Sequence, residues 1–150
     1  MDNMKKIWIA PGEPYDLAKQ VRQHVFIEEQ GFSPELEFDD TDPICFHLVL
    51  LQEDGTPAAT GRLIEGEHNV FSLGRIAVEK RYRKIGLGET LVREMIRFAG
   101  RLGATELHLS AQQHAVGFYK KLGFTVCGDS YMDEHVPHFP MVQYVQSASS

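Results

Sequence analysis

Short apolar runs separated by turn residues dominate the first half of the chain. Asp54-Gly55 is a hairpin signal between two of these runs. Leu17, Val21 and Val25 follow Pro14 at a helical spacing, which predicts a helix with one apolar face. The apolar runs predict strands at 6–10, 46–52, 58–65 and 71–78, with an acidic loop at 31–43.

A helical period replaces this pattern after Gly86. Leu87, Leu91 and Met95 begin an apolar stripe that predicts a long helix ending near Gly103. A second helix is predicted at 113–122, and further strands at 107–111, 125–132 and 141–145. Antiparallel strands followed by alternating strands and helices predict the α/β class, with a mixed sheet and helices on both faces.

Length, composition and net charge exclude several classes of protein. The 150 residues support one domain, 1–150, with 146–150 as a frayed tail. The apolar run at 7–10 stops at Pro11, and none approaches the roughly 20 residues of a membrane span, so a cytoplasmic protein without a membrane partner is expected. Cys45 and Cys127 lack a CxxC spacing, which argues against a disulfide scaffold or a cysteine-rich zinc site. The net charge of −6 argues against a nucleic-acid partner.

Charge is distributed unevenly along the chain. Residues 28–42 contain seven acids and no Lys or Arg, whereas residues 79–101 contain seven bases and three acids. The first segment could attract a cation and the second an anion, although two solvated faces of opposite sign are the simpler interpretation.

The segment around Gly86 has the features of an anion site. A strand ending at Val78 leads through four bases within residues 80–84 to a Gly86-Leu87-Gly88 turn that opens a helix. The first amides of a helix lack internal partners, and glycines let a phosphate approach the backbone. No GKS or GKT follows, so the turn is not a P-loop, and the third glycine of the dinucleotide fingerprint is absent. We therefore predict a pyrophosphate site at this turn.

Two segments resemble the signatures of the GNAT superfamily of acyl-CoA-dependent N-acetyltransferases. Residues 83–88, RKIGLG, resemble its R/Q-x-x-G-x-G/A motif, and residues 115–124, AVGFYKKLGF, resemble its second motif, A-x-x-F-Y-x-K-x-G-F. Outer segments, such as residues 25–30, resemble the small bacterial ElaA/YjcF-like branch. The resemblance implies the acyl-CoA N-acyltransferase fold, with a mostly antiparallel central sheet, and acetyl-CoA as co-substrate.

The resemblance also implies where the cofactor lies. The diphosphate of coenzyme A would contact the turn amides. The pantetheine arm would pair with the preceding strand and enter a gap beside the 107–111 strand. Gln112 stands where the family often has Asn. The cofactor-binding residues implied are Ile76, Ala77, Val78, Arg83, Lys84, Ile85, Gly86, Leu87, Gly88, Gln112, Phe118 and Tyr119.

Aminolysis of a thioester needs a base for the amine, a donor to the oxyanion and an acid for the sulfur. Tyr119 matches the family's frequent general acid, and a backbone amide near Val78 could serve the oxyanion. The base stays open among Glu28, Glu29, Asp40, His47 and His138. The candidate residues for holding an ammonium substrate are Glu28, Glu29, Asp40, Asp42 and His138.

A metal site is not expected. His135 and His138 have an H-x-x-H spacing, but Pro137 interrupts any helix that would align the two rings. The carboxylates of the acidic loop do not follow an EF-hand pattern, because its glycine is absent.

The predicted activity is transfer of an acetyl group from acetyl-CoA to a primary amine of a small molecule or peptide, by direct attack in a ternary complex. Two alternatives stay open: a non-catalytic acyl-CoA-binding module, and an acyltransferase similar to acyl-homoserine-lactone synthases. An exposed sheet edge at 141–145 would allow a homodimer.

Overall fold

The computed structural model describes residues 4–145, and the tail predicted at 146–150 lies outside the described residues. The strands are β1 (Lys5–Ile9), β2 (Phe46–Leu51), β3 (Pro57–Glu65), β4 (Val70–Val78), β5 (Glu106–Gln112), β6 (Thr125–Val126), β7 (Tyr131–Asp133) and β8 (Val136–Tyr144). The helices are α1 (Asp16–Arg22), which continues as π-helical turns over Gln23–Glu29, α2 (Pro34–Glu37), α3 (Leu87–Arg101) and α4 (Val116–Lys121). No helix in the described part of the chain is long and apolar enough to cross a membrane.

The strands form one sheet in the order β1-β2-β3-β4-β5-β8-β6, and β7 pairs with β8. The β4–β5 pair is parallel, and the other neighbouring pairs are antiparallel. The predicted α/β class with a mixed, mostly antiparallel sheet is therefore confirmed.

Helices cover both faces of the sheet, as predicted. Successive residues of a strand point to opposite faces. Leu48 of β2 accordingly belongs to the core that contains Leu91 of α3 and Tyr119 of α4. Its neighbour Val49 belongs to a second core with Ala18 of α1. The sheet thus separates α1 from α3 and α4.

Strand β4 departs from regular geometry at Arg75. The backbone of Arg75 has a φ of 50°, and the register between β3 and β4 shifts between Thr60 and Arg62. These two features define a β-bulge, which bends a strand and increases its twist. The sequence predicts a regular strand at 71–78 and gives no sign of this bulge.

Three segments have a secondary structure that differs from the predicted one. The acidic loop predicted at 31–43 contains α2. The strand predicted at 125–132 is divided into β6 and β7 by residues 127–130. Strand β8 begins at Val136 rather than at 141, because Pro137 and Pro140 obscure the alternation that identifies a strand in sequence.

The expectation of an exposed sheet edge at 141–145 is wrong for its first residues. Met141 and Val142 pair with β5 on one side and with β6 on the other. Met141 and Val142 are therefore not available to pair with a second copy of the chain in a homodimer.

Candidate active site

Strands β4 and β5 separate and leave a gap in the sheet. Their pairing is limited to Val70–Ser72 opposite Glu106–His108, although the strands continue to Val78 and Gln112. A cavity of about 500 Å³ occupies the gap. It is lined by both strands, by residues from β3, by Tyr119 of α4, by the segment before and within α2, and by the β7–β8 hairpin. This volume lies within the range of small-molecule sites.

The backbone near the end of β4 faces this gap. The Glu79 N–H donates to the Ala58 carbonyl of β3 at 2.9 Å. Because backbone groups alternate between the two edges of a strand, the Val78 amide points away from β3 and toward the gap. Ile76 lines the cavity, whereas Ala77 pairs with Thr60 of β3. An extended ligand could pair with the free edge of β4.

The glycine turn connects β4 to α3. Gly86 occupies the N-cap position with a left-handed φ of 85°, and no side chain caps the helix. The amides of the first turn therefore keep their capacity to bind an anion. A Cβ at Gly88 would lie 3.4 Å from Cζ of Phe118. The second motif thus packs directly against the first, and a side chain at position 88 would press on it.

Arg83 belongs to the same turn, but its guanidinium is already paired. Nη1 and Nη2 donate to the two carboxylate oxygens of Glu29 at 2.6 Å each. Nε donates to the Val78 carbonyl at 2.9 Å. The hydrogen bond from Arg83 lowers the pKa of Glu29, so this carboxylate is a weak proton acceptor. Glu29, a candidate base, lies at the glycine turn and not on the cavity wall.

Tyr119 lies on the cavity wall. Its ring packs edge-on against Phe118 and Phe124, with centroid distances of 5.1 and 6.1 Å. The hydroxyl has no hydrogen-bond partner among residues 4–145, yet it is not among the fully enclosed polar atoms, so it reaches the cavity. Burial raises the pKa of the Tyr119 hydroxyl. The group therefore stays protonated near neutral pH and can donate a proton.

Residues 20–145 match the family described as "Acetyltransferase (GNAT) domain". The chain belongs to the GNAT acetyltransferase family. It is similar to the uncharacterized N-acetyltransferase YjcF of Bacillus subtilis (strain 168), with 31% identity over 141 residues that cover 93% of this chain and 99% of YjcF. The predictions of an acetyltransferase enzyme and of the family are confirmed.

Solved GNAT structures have the same fold. An acyl-CoA N-acyltransferase from Pseudomonas aeruginosa has a TM-score of 0.82 and 27% identity, over 93% of this chain and 99% of that chain. ElaA of Escherichia coli has a TM-score of 0.83 and 21% identity, over 93% of this chain and 99% of that chain. The identity to YjcF supports the predicted ElaA/YjcF-like branch, and ElaA shares the fold.

The two candidate histidines of this GNAT chain lie in different places. His138 on β8 lines the cavity, and its Nδ1 lies 2.9 Å from the Val136 carbonyl. Because a carbonyl only accepts, Nδ1 carries the proton and Nε2 of the neutral ring is left as an acceptor. His47 does not line the cavity. Its ring is 1% exposed, stacks on Tyr15 and donates from Nε2 to the Asp42 carbonyl at 2.8 Å.

The acids predicted to hold a substrate also lie apart from the cavity. Asp42 is 1% exposed, and its carboxylate accepts hydrogen bonds from Arg22 and Arg62 at 2.8 Å. Although burial opposes ionisation, these guanidiniums hold the pKa of Asp42 below its usual value. Glu28 and Asp40 are exposed and do not line the cavity. Of the five predicted substrate residues, His138 lies on the cavity wall.

Residues around the glycine turn have distinct surroundings. Lys84 and Ile85 are exposed, Leu87 is buried in the core, and Phe118 is half-exposed. Gln112 lines the cavity, and its side-chain amide donates to Oε1 of Gln30 at 2.8 Å. This contact joins the end of β5 to the segment that follows α1, across one end of the gap.

Sequence reasoning did not single out Glu37, which the structure places on the cavity wall. The residue is 7% exposed and is paired with Arg22 and Arg75. In the sequence it is one of seven acids within residues 28–42, and nothing in the pattern distinguishes it. Its position depends on Arg22 of α1 and Arg75 of β4, which lie far from it in the sequence, so no local motif identifies it.

A cluster of possible metal ligands consists of Asp42, Cys45 and His47, whose donor atoms lie within 4.8 Å of one another. The Asp42 carboxylate is already neutralised by Arg22 and Arg62, and both guanidiniums would repel a cation. Burial raises the pKa of the Cys45 thiol to about 11, so it stays protonated. The cluster is therefore better explained by internal hydrogen bonds than by a metal.

Proposed function

We propose that this GNAT protein transfers an acetyl group from acetyl-CoA to a primary amine of a small molecule or peptide. The main support for this proposal is that Tyr119 and the edge of β4 line the same cavity. Tyr119 and the free edge of β4 both border the gap between β4 and β5, and β4 leads through residues 79–85 to the uncapped glycine turn. A thioester bound along β4 would lie beside a protonated phenol.

The donor would be held mainly by backbone. The amides of Ile85 to Gly88 open α3 with no side-chain cap and suit a diphosphate. The Val78 amide and the neighbouring edge of β4 suit the amide groups of the pantetheine arm. Arg83 contributes positive charge, although Glu29 pairs with it. The residues therefore fit coenzyme A through groups that require no particular side chain.

The reaction is direct attack of a neutral amine on the thioester carbonyl. A backbone amide at the end of β4 would hydrogen-bond the developing oxyanion. Tyr119 would give its proton to the sulfur as the carbon–sulfur bond breaks. Both substrates must be bound together for this step, which is why the proposal includes a ternary complex.

Calorimetry with coenzyme A, followed by a thiol-release assay, tests the proposal. We expect coenzyme A to bind, and we expect acetyl-CoA to release free thiol in the presence of at least one amine from a panel of aliphatic, arylalkyl and peptide N-terminal amines. Binding without amine-dependent thiol release would favour a non-catalytic acyl-CoA-binding module. Absence of binding would contradict the proposal itself.

A further inference from the structure

Glu37 combines burial with access to the cavity. Its Oε2 accepts from Nε of Arg22 at 2.9 Å and lies 3.2 Å from Nε of Arg75. Its Oε1 has no hydrogen-bond partner among residues 4–145 and is not among the fully enclosed polar atoms. Because Glu37 lines the cavity, this oxygen is its open acceptor there.

The surroundings of Glu37 fix the position of the carboxylate. Arg22 from α1 is fully buried and also donates from Nη2 to the Glu37 carbonyl at 2.7 Å. Arg75, at the bulge of β4, donates from Nε to the same carbonyl at 3.1 Å. A side chain held by two guanidiniums from two elements has little freedom to turn away from the cavity.

The charges around Glu37 balance. Arg22, Arg62 and Arg75 approach it from α1, β3 and β4, and Asp39 and Asp42 of the following segment pair with these arginines. Burial raises the pKa of the Glu37 carboxyl, and the charges of Arg75 and Arg22 only partly offset this effect. A carboxylate that is more basic than usual is better suited to take a proton from an amine.

We propose that Glu37 is the general base of the transfer, a role that rests on the proposed function. Oε1 of Glu37 takes a proton from the amine nitrogen, directly or through one water, as the new nitrogen–carbon bond forms. The carbon–sulfur bond breaks, and the sulfur takes the Tyr119 proton. The proton on Glu37 then passes through solvent to restore the phenol, so that protons and electrons balance over one turnover.

Other titratable groups share the cavity and compete for this role. The histidines and carboxylates among them are His108, His114, Asp133, Glu134 and His138. His108 pairs with Glu106, and Glu134 accepts from the Ser33 amide. His114 and Asp133 are exposed, so nothing fixes their direction. His138 is the strongest competitor, because its Nε2 is a free acceptor.

The test compares Glu37→Gln with Glu35→Gln. The first substitution keeps a side-chain oxygen for Arg22 but removes the basic group and its negative charge, whereas Glu35 lies on the same short helix, is exposed and contacts Ser33. We expect Glu37→Gln to lower kcat/KM at about pH 7 by roughly 100-fold with coenzyme A affinity unchanged, and to lower the thermal unfolding midpoint, because a buried negative charge is lost beside Arg22 and Arg75. Glu35→Gln should match the wild type in all of these measurements.

The pH profile separates a base from a structural role. In Glu37→Gln the proton must pass to hydroxide instead of to a carboxylate, so the deficit in kcat/KM should shrink as pH rises. Glu37→Asp should restore part of the activity at neutral pH. A deficit of the same size at every pH, or full activity in Glu37→Gln, would overturn the assignment.

A second experiment compares the wild type with His138→Gln, so it does not depend on whether the Glu37 variants fold. In the wild type, kcat/KM calculated for the concentration of free amine should fall on the acidic side as the base is protonated, and this acidic limb should persist in His138→Gln. Loss of the limb in His138→Gln would assign the base to His138 and overturn the role of Glu37. A wild type that releases no thiol with any amine would instead contradict the proposed function.

Discussion

Arg83 and Glu29 form a bidentate ion pair, with both nitrogen–oxygen distances at 2.6 Å, beside the glycine turn that opens α3. Both side chains are about one-third exposed, with 35% of each surface accessible. The pair therefore neutralises a cation that could otherwise attract a diphosphate.

Replacing Glu29 should strengthen the binding of coenzyme A. In Glu29→Gln the guanidinium loses its ionic partner, and we expect the Kd to fall by up to about fivefold, which corresponds to about 1 kcal/mol. Glu28→Gln is the matched control, because Glu28 is exposed and its side chain contacts Gln23 instead. Calorimetry at low salt measures both. Weaker binding in Glu29→Gln would mean that the carboxylate supports the turn rather than competing for Arg83.

Gly86 should not tolerate an acidic side chain. Its φ of 85° is a left-handed conformation that costs a non-glycine residue about 1 kcal/mol, and a carboxylate there would repel the diphosphate. We expect Gly86→Asp to raise the Kd for coenzyme A at least about tenfold. Gly12→Asp has a similar strain, since Gly12 has a φ of 90°, but it lies in the β1–α1 connection. Equal binding losses in the two variants would contradict an anion site at Gly86.

Tyr119→Phe should separate chemistry from binding. The substitution removes the hydroxyl and keeps the ring that packs against Phe118 and Phe124. We expect kcat to fall by roughly 100-fold while the Kd for acetyl-CoA changes little. Tyr144→Phe serves as the control, because Tyr144 is 72% exposed. Unchanged kcat in Tyr119→Phe would remove this hydroxyl from the reaction.

Glu94 should make the free energy of unfolding depend on pH in the acidic range. Hydrogen bonds from Arg97, Trp8 and Lys6 lower the pKa of Glu94 to about 2 from 4.5, although burial opposes this shift. Because the folded pKa lies below the unfolded one, the stabilisation is present above about pH 4.5 and is lost as pH falls toward 2. Since Arg97 and Lys6 are half-exposed, we expect a loss on the order of 2 kcal/mol. Urea unfolding should show a shallower decline across this window in Glu94→Gln than in the wild type.

Local patterns were sufficient to predict the main elements and the glycine turn. The apolar stripe of α3 is buried at Leu87, Leu91 and Met95, and the turn at Gly86 has the positive φ that favours glycine. Both features are encoded within a few consecutive residues. They could therefore be recognised without knowing the tertiary structure.

Long-range pairing explains what the sequence did not reveal. Arg22 meets Glu37 and Asp42 across 15 and 20 residues, and a simple count of acids does not show which of them are buried. The acidic segment is accordingly not one solvated face, since Glu37, Asp39 and Asp42 pair with guanidiniums from three other elements. The candidate base Glu37 becomes recognisable only when this network is seen.

A crystal structure with coenzyme A bound would show whether the gap between β4 and β5 holds the cofactor. We predict a diphosphate on the amides of Ile85 to Gly88, a pantetheine arm along the free edge of β4, and the sulfur within hydrogen-bonding distance of the Tyr119 hydroxyl. Coenzyme A bound elsewhere on the protein, with the gap between β4 and β5 empty, would contradict this prediction.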